Sequence, residues 1–263
     1  MTADIRQSIS TAKRIVVKVG SSSITGANEA NLDLLIAALA DARARGAEVI
    51  LVSSGAIATG MPLLKLQSKP GDLPTSQALA AVGQSRLIAR YQSSLERFNW
   101  IAGQVLLTSE DLDGEITRVN AKRAIDRLVE LDVLPIVNEN DTVATAEIRF
   151  GDNDRLASLV AVLVEADALV LLSDVDALYT APPSQPGAVR IVEVEYGQDL
   201  SGIETGDTST GVGTGGAVTK VAAAELATSA GVDVVLTSIS QVIAALAGEN
   251  VGTWFKAGPR VRK

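Results

Sequence analysis

Apolar runs that stop abruptly in Asn, Asp, Ser or Gly recur along this chain, separated by stretches with helical periodicity. The run from Val133 to Val137 breaks into Asn138, Glu139, Asn140 and Asp141, and a second acid and amide cluster, Asp152, Asn153 and Asp154, follows one short strand-like run later. Near-continuous Val, Ile and Leu mark strands buried on both faces, as in parallel sheets covered by helices. The carboxyl edge of such a sheet is a crevice, so strand ends that stop in short polar side chains are where open α/β folds build their sites. Residues 135–154 are therefore expected to form the floor of a small-molecule site. A pair of Asx-rich turns would leave the same local signature.

The alternation runs through the chain. Arg14–Gly20, Glu48–Ser53, Gly103–Thr108, Val133–Val137, Asp167–Ser173, Val232–Ser238 and Val251–Phe255 read as strands, with a short β element over Val189–Val194. Leu32–Arg45, Thr75–Arg97, Val119–Leu131, Arg155–Glu165, Ala217–Ala230 and Gln241–Ala247 read as helices. Pro62–Pro74 and Thr180–Ala188 carry prolines and read as loops, and Asp207–Gly216 is rich in Gly, Thr and Ser. Strands alternating with helices predict an α/β fold, a three-layer αβα sandwich with a mostly parallel central sheet. No composition break divides residues 1–263, which are expected to form a single domain.

Composition narrows the chemistry. Hydrophobic residues make up 47% of the chain and aromatic ones only 3%, so the core must be Ala, Val, Leu and Ile. There is no Cys and no His, which excludes disulfides, thiol nucleophiles, Ser/His triads and H-E-x-x-H zinc sites. Carboxylates, Lys, Arg, hydroxyls and backbone N–H groups remain. The net charge of −8 argues against nucleic acid or an anionic membrane as partner, so a bound phosphate must be held by a local site. The N-terminus lacks a signal-peptide pattern, and no run reaches the roughly 18 apolar residues of a membrane span. A soluble cytoplasmic protein is expected.

Four places compete for that chemistry. Lys18 lies in an otherwise apolar strand and is followed by Gly20-Ser21-Ser22-Ser23. Burying an ammonium is costly without a partner, so it reads as a cation aimed at phosphate or as an edge-strand lysine that snorkels. Gly211-Val-Gly-Thr-Gly-Gly216 satisfies G-x-G-x-x-G, but polar residues precede it where a dinucleotide fold needs a strand, and G-K-[S/T] is missing. A Gly-rich turn that opens a helix with Lys220 one turn in still suits an anion, although a plain flexible loop fits too. Ser53-Ser54-Gly55-Ala56 and Ser173-Asp174 are two further strand ends, each readable as a binding turn or as a bland connection. Two lysines beside Gly-rich turns with acids and amides between them describe phosphoryl transfer better than hydride transfer, because the protein's task there is positioning and charge neutralisation. An acceptor carboxylate is ionised at pH 7 and needs no general base. A chain without His could phosphorylate an acid.

The motifs V-V-K-V-G-S-S-S, V-S-S-G-A-I-A-T-G, A-V-G-Q-S-R-L, V-N-E-N-D-T-V-A-T-A-E-I-R-F-G-D-N-D, L-L-S-D-V-D-A-L-Y-T and G-V-G-T-G-G-A-V-T-K together resemble the amino acid kinase family, from about Arg14 to Phe255. The N-E-N-D and G-D-N-D pairing is specific to its glutamate-phosphorylating branch; carbamate, acetylglutamate, aspartate and uridylate kinases share only the lysine and glycine framework. The resemblance implies ATP-dependent phosphorylation of the γ-carboxylate of L-glutamate, the first step towards proline, with Mg²⁺ bridging the ATP phosphates. By motif, Ser54, Asp141 and Asn153 fall on glutamate-binding positions, with Asp141 on the substrate ammonium and Asn153 and the Ser54 turn on carboxylate oxygens. Lys18 and Lys220 would flank the phosphoryl group, and Asp154 would orient one or both of them. Ser173, Asp174, Thr214, Gly215, Gly216, Ala217, Val218, Thr219 and Lys220 match the nucleotide side. The glutamate site would lie mainly in 14–155 and the nucleotide site mainly in 167–256. The resemblance further implies a homo-oligomer, feedback inhibition by proline, and handover of a labile product to glutamyl phosphate reductase.

The chain departs from the family pattern in places. Many members carry a C-terminal PUA domain, and this chain stops at Lys263, as a short or truncated form would. Ala217 stands where the family commonly has Met, and Asp111–Arg118 matches poorly. The competing readings are a kinase of the same superfamily with a different carboxylate or phosphate acceptor, a non-catalytic amino acid or nucleotide sensor, and an NAD-dependent oxidoreductase.

Overall fold

A computed structural model of the chain describes residues 6–68, 70–144, 153–182, 184–200 and 216–260. Eight strands are seen among them: β1 (Arg14–Val19), β2 (Glu48–Ser53), β3 (Ile101–Leu107), β4 (Val133–Glu139), β5 (Ala168–Ser173), β6 (Glu193–Val194), β7 (Asp233–Ser238) and β8 (Thr253–Phe255). The helices are α1 (Gln7–Ser10), α2 (Ser21–Ile24), α3 (Asn31–Ala44), α4 (Ala56–Leu63), α5 (Leu73–Leu95), α6 (Ser109–Asp113), α7 (Glu115–Glu130), α8 (Asn153–Leu163), α9 (Ala217–Ser229) and α10 (Val242–Leu246).

The strands form one sheet in the order β3-β4-β2-β1-β5-β7-β8-β6. Pairing is parallel except between β7 and β8. The expected fold class is therefore the observed one. Side chains of a strand alternate between faces, and both faces are covered. Ile15, Val17 and Val19 join the layer containing Leu35, Ile36 and Leu39 of α3, Leu87 and Tyr91 of α5, and α10. Val16, Ile50 and Val52 join the opposite layer with Ile125 of α7, Leu156 and Val160 of α8, and Ala223 and Ala224 of α9. Lys18 has the parity of Val16. It therefore points to the layer of α8 and α9, from the central strand, with Val52 and Leu171 as its register partners.

One expectation needs correction. Pro62–Pro74 is not wholly a loop: α4 includes Pro62, and α5 begins at Leu73. Pro74 sits where a helix tolerates it, while Pro62 gives up the helical bond to the carbonyl of Ala58. Pro62 falls in the last turn of α4, and Pro74 occupies the first turn of α5, where its missing N–H would have had no helical partner. Asp72 caps α5 by accepting from Thr75 N–H at 2.8 Å. Among the described residues no helix is long and apolar enough to cross a membrane.

Candidate active site

The C-terminal ends of β1, β2, β4, β5 and β7 bring the sequence candidates to one edge of the sheet. β1 contributes Lys18, which is 3% exposed. It ion-pairs with Oδ1 of Asp154, in the first turn of α8. The other oxygen of that carboxylate, Oδ2, is 3.2 Å from Nζ of Lys220, in the first turn of α9. Asp154 is fully buried and Lys220 is 7% exposed, so one carboxylate bridges two ammonium groups away from bulk water. A buried charge is tolerable only with such pairing. The partner demanded by a lysine inside an apolar strand is thus found, and it comes with a second lysine. Ser158 Oγ donates to the carbonyl of Ala223 at 2.6 Å, tying α8 to α9 one turn beyond the charged groups. A Cβ at Gly20 would lie 3.8 Å from Lys18 Nζ, an ordinary contact distance, so the turn after β1 runs directly beside the ammonium.

On the β2–β4 side the chain builds an amide network. Asn153 Nδ2 donates to the carbonyl of Ser53 and to Asn138 Oδ1, both at 2.7 Å. Asn138 Nδ2 donates to Gln84 Oε1 at 2.8 Å, while Asn138 Oδ1 also accepts from the N–H of Glu139 at 2.9 Å. Ser54 is half-buried, its N–H donating to the carbonyl of Val19 at 3.1 Å, and Gly55 follows with φ +110° as the residue before α4. That left-handed backbone favours glycine, and it turns the first N–H groups of α4 towards the strand end. Asp141 is half-buried in the turn after β4.

On the β5–β7 side Ser173 is register partner of Ser238, and Ser173 Oγ donates to Oδ1 of the exposed Asp174 at 2.9 Å. Gly216 precedes α9, whose first residues are Ala217, Val218 and Thr219; Thr219 Oγ1 donates back to Gly216 O at 2.9 Å. Thr214 and Gly215, like Asp152, lie outside the described residues. The structure thus joins Lys18, Asp154 and Lys220 directly, and ties Asn153 to the ends of β2 and β4.

Sequence reasoning missed the supports. Gln84 and Tyr91 project from the same face of α5, and Tyr91 OH is 2.8 Å from Ser53 Oγ. Tyr91 is fully buried, and desolvation raises its phenol pKa. The available signal was a glutamine on the apolar stripe of Leu79, Ala80, Gly83 and Leu87, since a polar residue on such a stripe needs a buried partner.

A parallel α/β sheet whose carboxyl edge carries two lysines on one shared carboxylate, beside a Gly-led helix start, is a phosphotransferase framework. The chain belongs to the amino acid kinase family, whose profile matches residues 13–238. Its relatives narrow the class. It is 66% identical over 250 residues to glutamate 5-kinase of Clavibacter michiganensis subsp. michiganensis, covering 95% of this chain and 96% of that one. It is 62% identical over 256 residues to glutamate 5-kinase of Leifsonia xyli subsp. xyli, covering 97% and 95%. Glutamate 5-kinase of Streptomyces coelicolor is 53% identical over 263 residues, 98% of this chain and 70% of that one. Among solved structures, carbamate kinase from Giardia lamblia bound to AMP-PNP superposes with a TM-score of 0.68 at 17% identity, covering 95% of this chain and all of that one. That likeness supports the shared fold.

Proposed function

We propose that this chain transfers the γ-phosphoryl group of ATP to the γ-carboxylate of L-glutamate, giving L-glutamyl 5-phosphate and ADP, the first step of proline biosynthesis. The observation that carries the reading is the pairing of Lys18 and Lys220 on Asp154 at the central strand, between the β2–β4 edge and the β5–β7 edge. The relatives supply the acceptor. Ser54, Asp141 and Asn153 form the glutamate side, within 14–155; Ser173, Asp174 and the stretch from Thr214 to Lys220 form the nucleotide side, within 167–256, and the two sides make one catalytic domain.

The acceptor carboxylate is already ionised at neutral pH. One of its oxygens attacks the γ-phosphorus, the bond to the β,γ-bridging oxygen breaks, and ADP leaves with that electron pair. Charge spreads over the three equatorial oxygens in flight, and catalysis of such a step is positioning plus electrostatics. Lys18 and Lys220 supply the positive charge, and Asp154 holds both ammonium groups in place beforehand, so little reorganisation is needed at the moment of reaction. Mg²⁺ would neutralise and orient the ATP phosphates, bound largely through those phosphates and water.

An exposed edge strand, β3, with Ile101 60% exposed, and the exposed Ile116 and Val119 of α7 support a homo-oligomer. A cytoplasmic location, feedback inhibition by proline and handover of the labile acyl phosphate to glutamyl phosphate reductase complete the proposal by analogy with the family.

Lys220→Ala is expected to lower turnover by roughly 10²- to 10³-fold, the range for losing one charge-stabilising donor, with an unchanged circular dichroism spectrum. An unchanged rate would remove Lys220 from the mechanism. The reaction itself is tested by ADP release from Mg-ATP with L-glutamate, L-aspartate, N-acetylglutamate or no acceptor, with hydroxylamine present to trap acyl phosphate. Hydroxamate formed only with L-glutamate is the expected result. Turnover with another acceptor alone would transfer the chain to a different branch of the family, and no turnover with any would point to a sensor.

A further inference from the structure

We infer that α5, through Gln84 and Tyr91, locks the amide of Asn153 so that it offers the substrate its carbonyl oxygen and not its NH₂, and that this oxygen reads the α-ammonium of the acceptor. The inference rests on the proposed glutamate reaction and deepens it.

Which amide atom is oxygen and which is nitrogen follows here from backbone groups whose roles cannot change. The N–H of Glu139 can only donate, so the Asn138 atom that it meets at 2.9 Å is oxygen. The Asn138 nitrogen is then the atom that meets Gln84 Oε1 at 2.8 Å. At the other end, the Ser53 carbonyl can only accept, so the Asn153 atom 2.7 Å away is nitrogen. Its second hydrogen goes to Asn138 Oδ1, also at 2.7 Å. A primary amide has two N–H donors and both are spent. Oδ1 is what Asn153 has left to give. Turning the amide over would set its oxygen against two acceptors at once.

α5 holds both ends of this arrangement. Gln84 grips Asn138 at the end of β4, and Tyr91, two helical turns further on, grips Ser53 at the end of β2. The single Ser53 hydroxyl proton goes to the carbonyl of Ser54 at 3.0 Å, so Tyr91 is the donor in the pair. Gln84, Tyr91, Ser53, Asn138 and Asn153 are all buried, at 8% exposure or less, and in that low dielectric a satisfied network is stiff and a broken one costly. An acceptor presented by Asn153 repels a carboxylate oxygen and attracts a donor. With Asp141 beside β4, the chemistry matches an ammonium, so the expectation that Asn153 holds a carboxylate is replaced. Gln84 and Tyr91 are positioning residues that touch no substrate. They make the site discriminate a free α-amino acid from its deaminated analogue.

The test compares L-glutamate with glutarate, which has both carboxylates and no amino group. A site built around a buried acceptor rejects a ligand without the donor strongly, so wild type is expected to prefer L-glutamate by about 10³-fold or more in kcat/KM. Gln84→Leu should raise KM for L-glutamate about 10-fold, with kcat changed far less, and should cut the glutamate-to-glutarate preference about 10-fold. Gln84→Glu keeps an oxygen for Asn138 and should restore most of that preference. Tyr91→Phe, which removes one hydroxyl, should shift it in the same direction, and serves if Gln84→Leu does not fold. A folded Gln84→Leu or Tyr91→Phe with wild-type preference, or a wild type that takes glutarate equally well, would overturn the inference. If no acceptor is turned over, the kinase reading alone falls. Calorimetric binding then decides the relay: L-glutamate bound over glutarate, with the difference lost in Gln84→Leu, supports it, and equal binding overturns it.

Discussion

Asp154→Asn is expected to reduce turnover by about 10³-fold while also lowering the melting temperature, because one carboxylate serves both lysines. The charge pairs with Lys18 through one oxygen and with Lys220 through the other, at 3.2 Å. All three groups are buried. Removing one member of a buried ion pair costs about 3–5 kcal/mol, since the remaining charge loses its compensation in a poor solvent. For a chain of this size even 3 kcal/mol corresponds to roughly 6–12 °C. The catalytic loss comes from the same source: without the carboxylate the ammonium groups repel each other and no longer wait at the places where phosphoryl charge will develop. Thermal unfolding and kcat measured on the same preparation separate the two effects. A variant that melts like wild type and keeps its rate would show that Asp154 neither holds the lysines nor matters to the reaction.

Gly83→Ala should also destabilise the fold, although it adds a single methyl group. A Cβ at Gly83 would collide with the carbonyl oxygen of Ala56 and lie 2.6 Å from the backbone nitrogen of Gly60. One at Gly60 would strike the carbonyl of Leu79. Both obstacles are backbone, so no side chain can swing aside, and α4 must leave α5. Overpacking a tight contact costs about 1–3 kcal/mol, occasionally more, and a backbone clash belongs at the upper end. The function suffers with it, since α4 starts directly after Ser54-Gly55 and Gly83 adjoins Gln84. Gly71 is the control, because a Cβ there meets nothing within 4 Å. The expected result is poor soluble yield or a much lower melting temperature for Gly83→Ala and wild-type behaviour for Gly71→Ala. A Gly83→Ala protein with a wild-type melting curve would mean that the two helices do not pack this closely.

Much of the fold is legible in the chain because its two periodicities are clean. The apolar runs at Arg14–Val19, Glu48–Ser53 and Ala168–Ser173 could be little other than buried strands, and each expected strand and helix lies within a few residues of its place, while α1, α2, α4 and α6 had no expected counterpart. α4 was not read because Gly55, Gly60 and Pro62 count locally as breakers, although Pro62 falls in its last turn and Pro74 in the first turn of α5. Gly60 and Gly83 serve a helix–helix contact that no local window contains. Lys18, Asp154 and Lys220 were visible as unusual residues in apolar or Gly-rich surroundings. The family resemblance implied that Asp154 orients one or both lysines; that it pairs with both was not visible, because lysines over 200 positions apart meet only through the order in which the strands assemble.

By itself, then, the sequence determined the class of fold, the edge of the sheet that carries polar groups, and the chemistry left open to a chain without His or Cys. Those follow from hydrophobic periodicity and side-chain inventory, which are local properties. Only the tertiary structure decided which strand is central, which layer Lys18 faces, and which way the Asn153 amide is turned. Parallel pairing uses the same backbone hydrogen bonds for every strand, so equally apolar strands carry no local record of their neighbours. The orientation of an amide depends on donors and acceptors brought to it from β2, β4 and α5, and those exist as neighbours only in the folded chain.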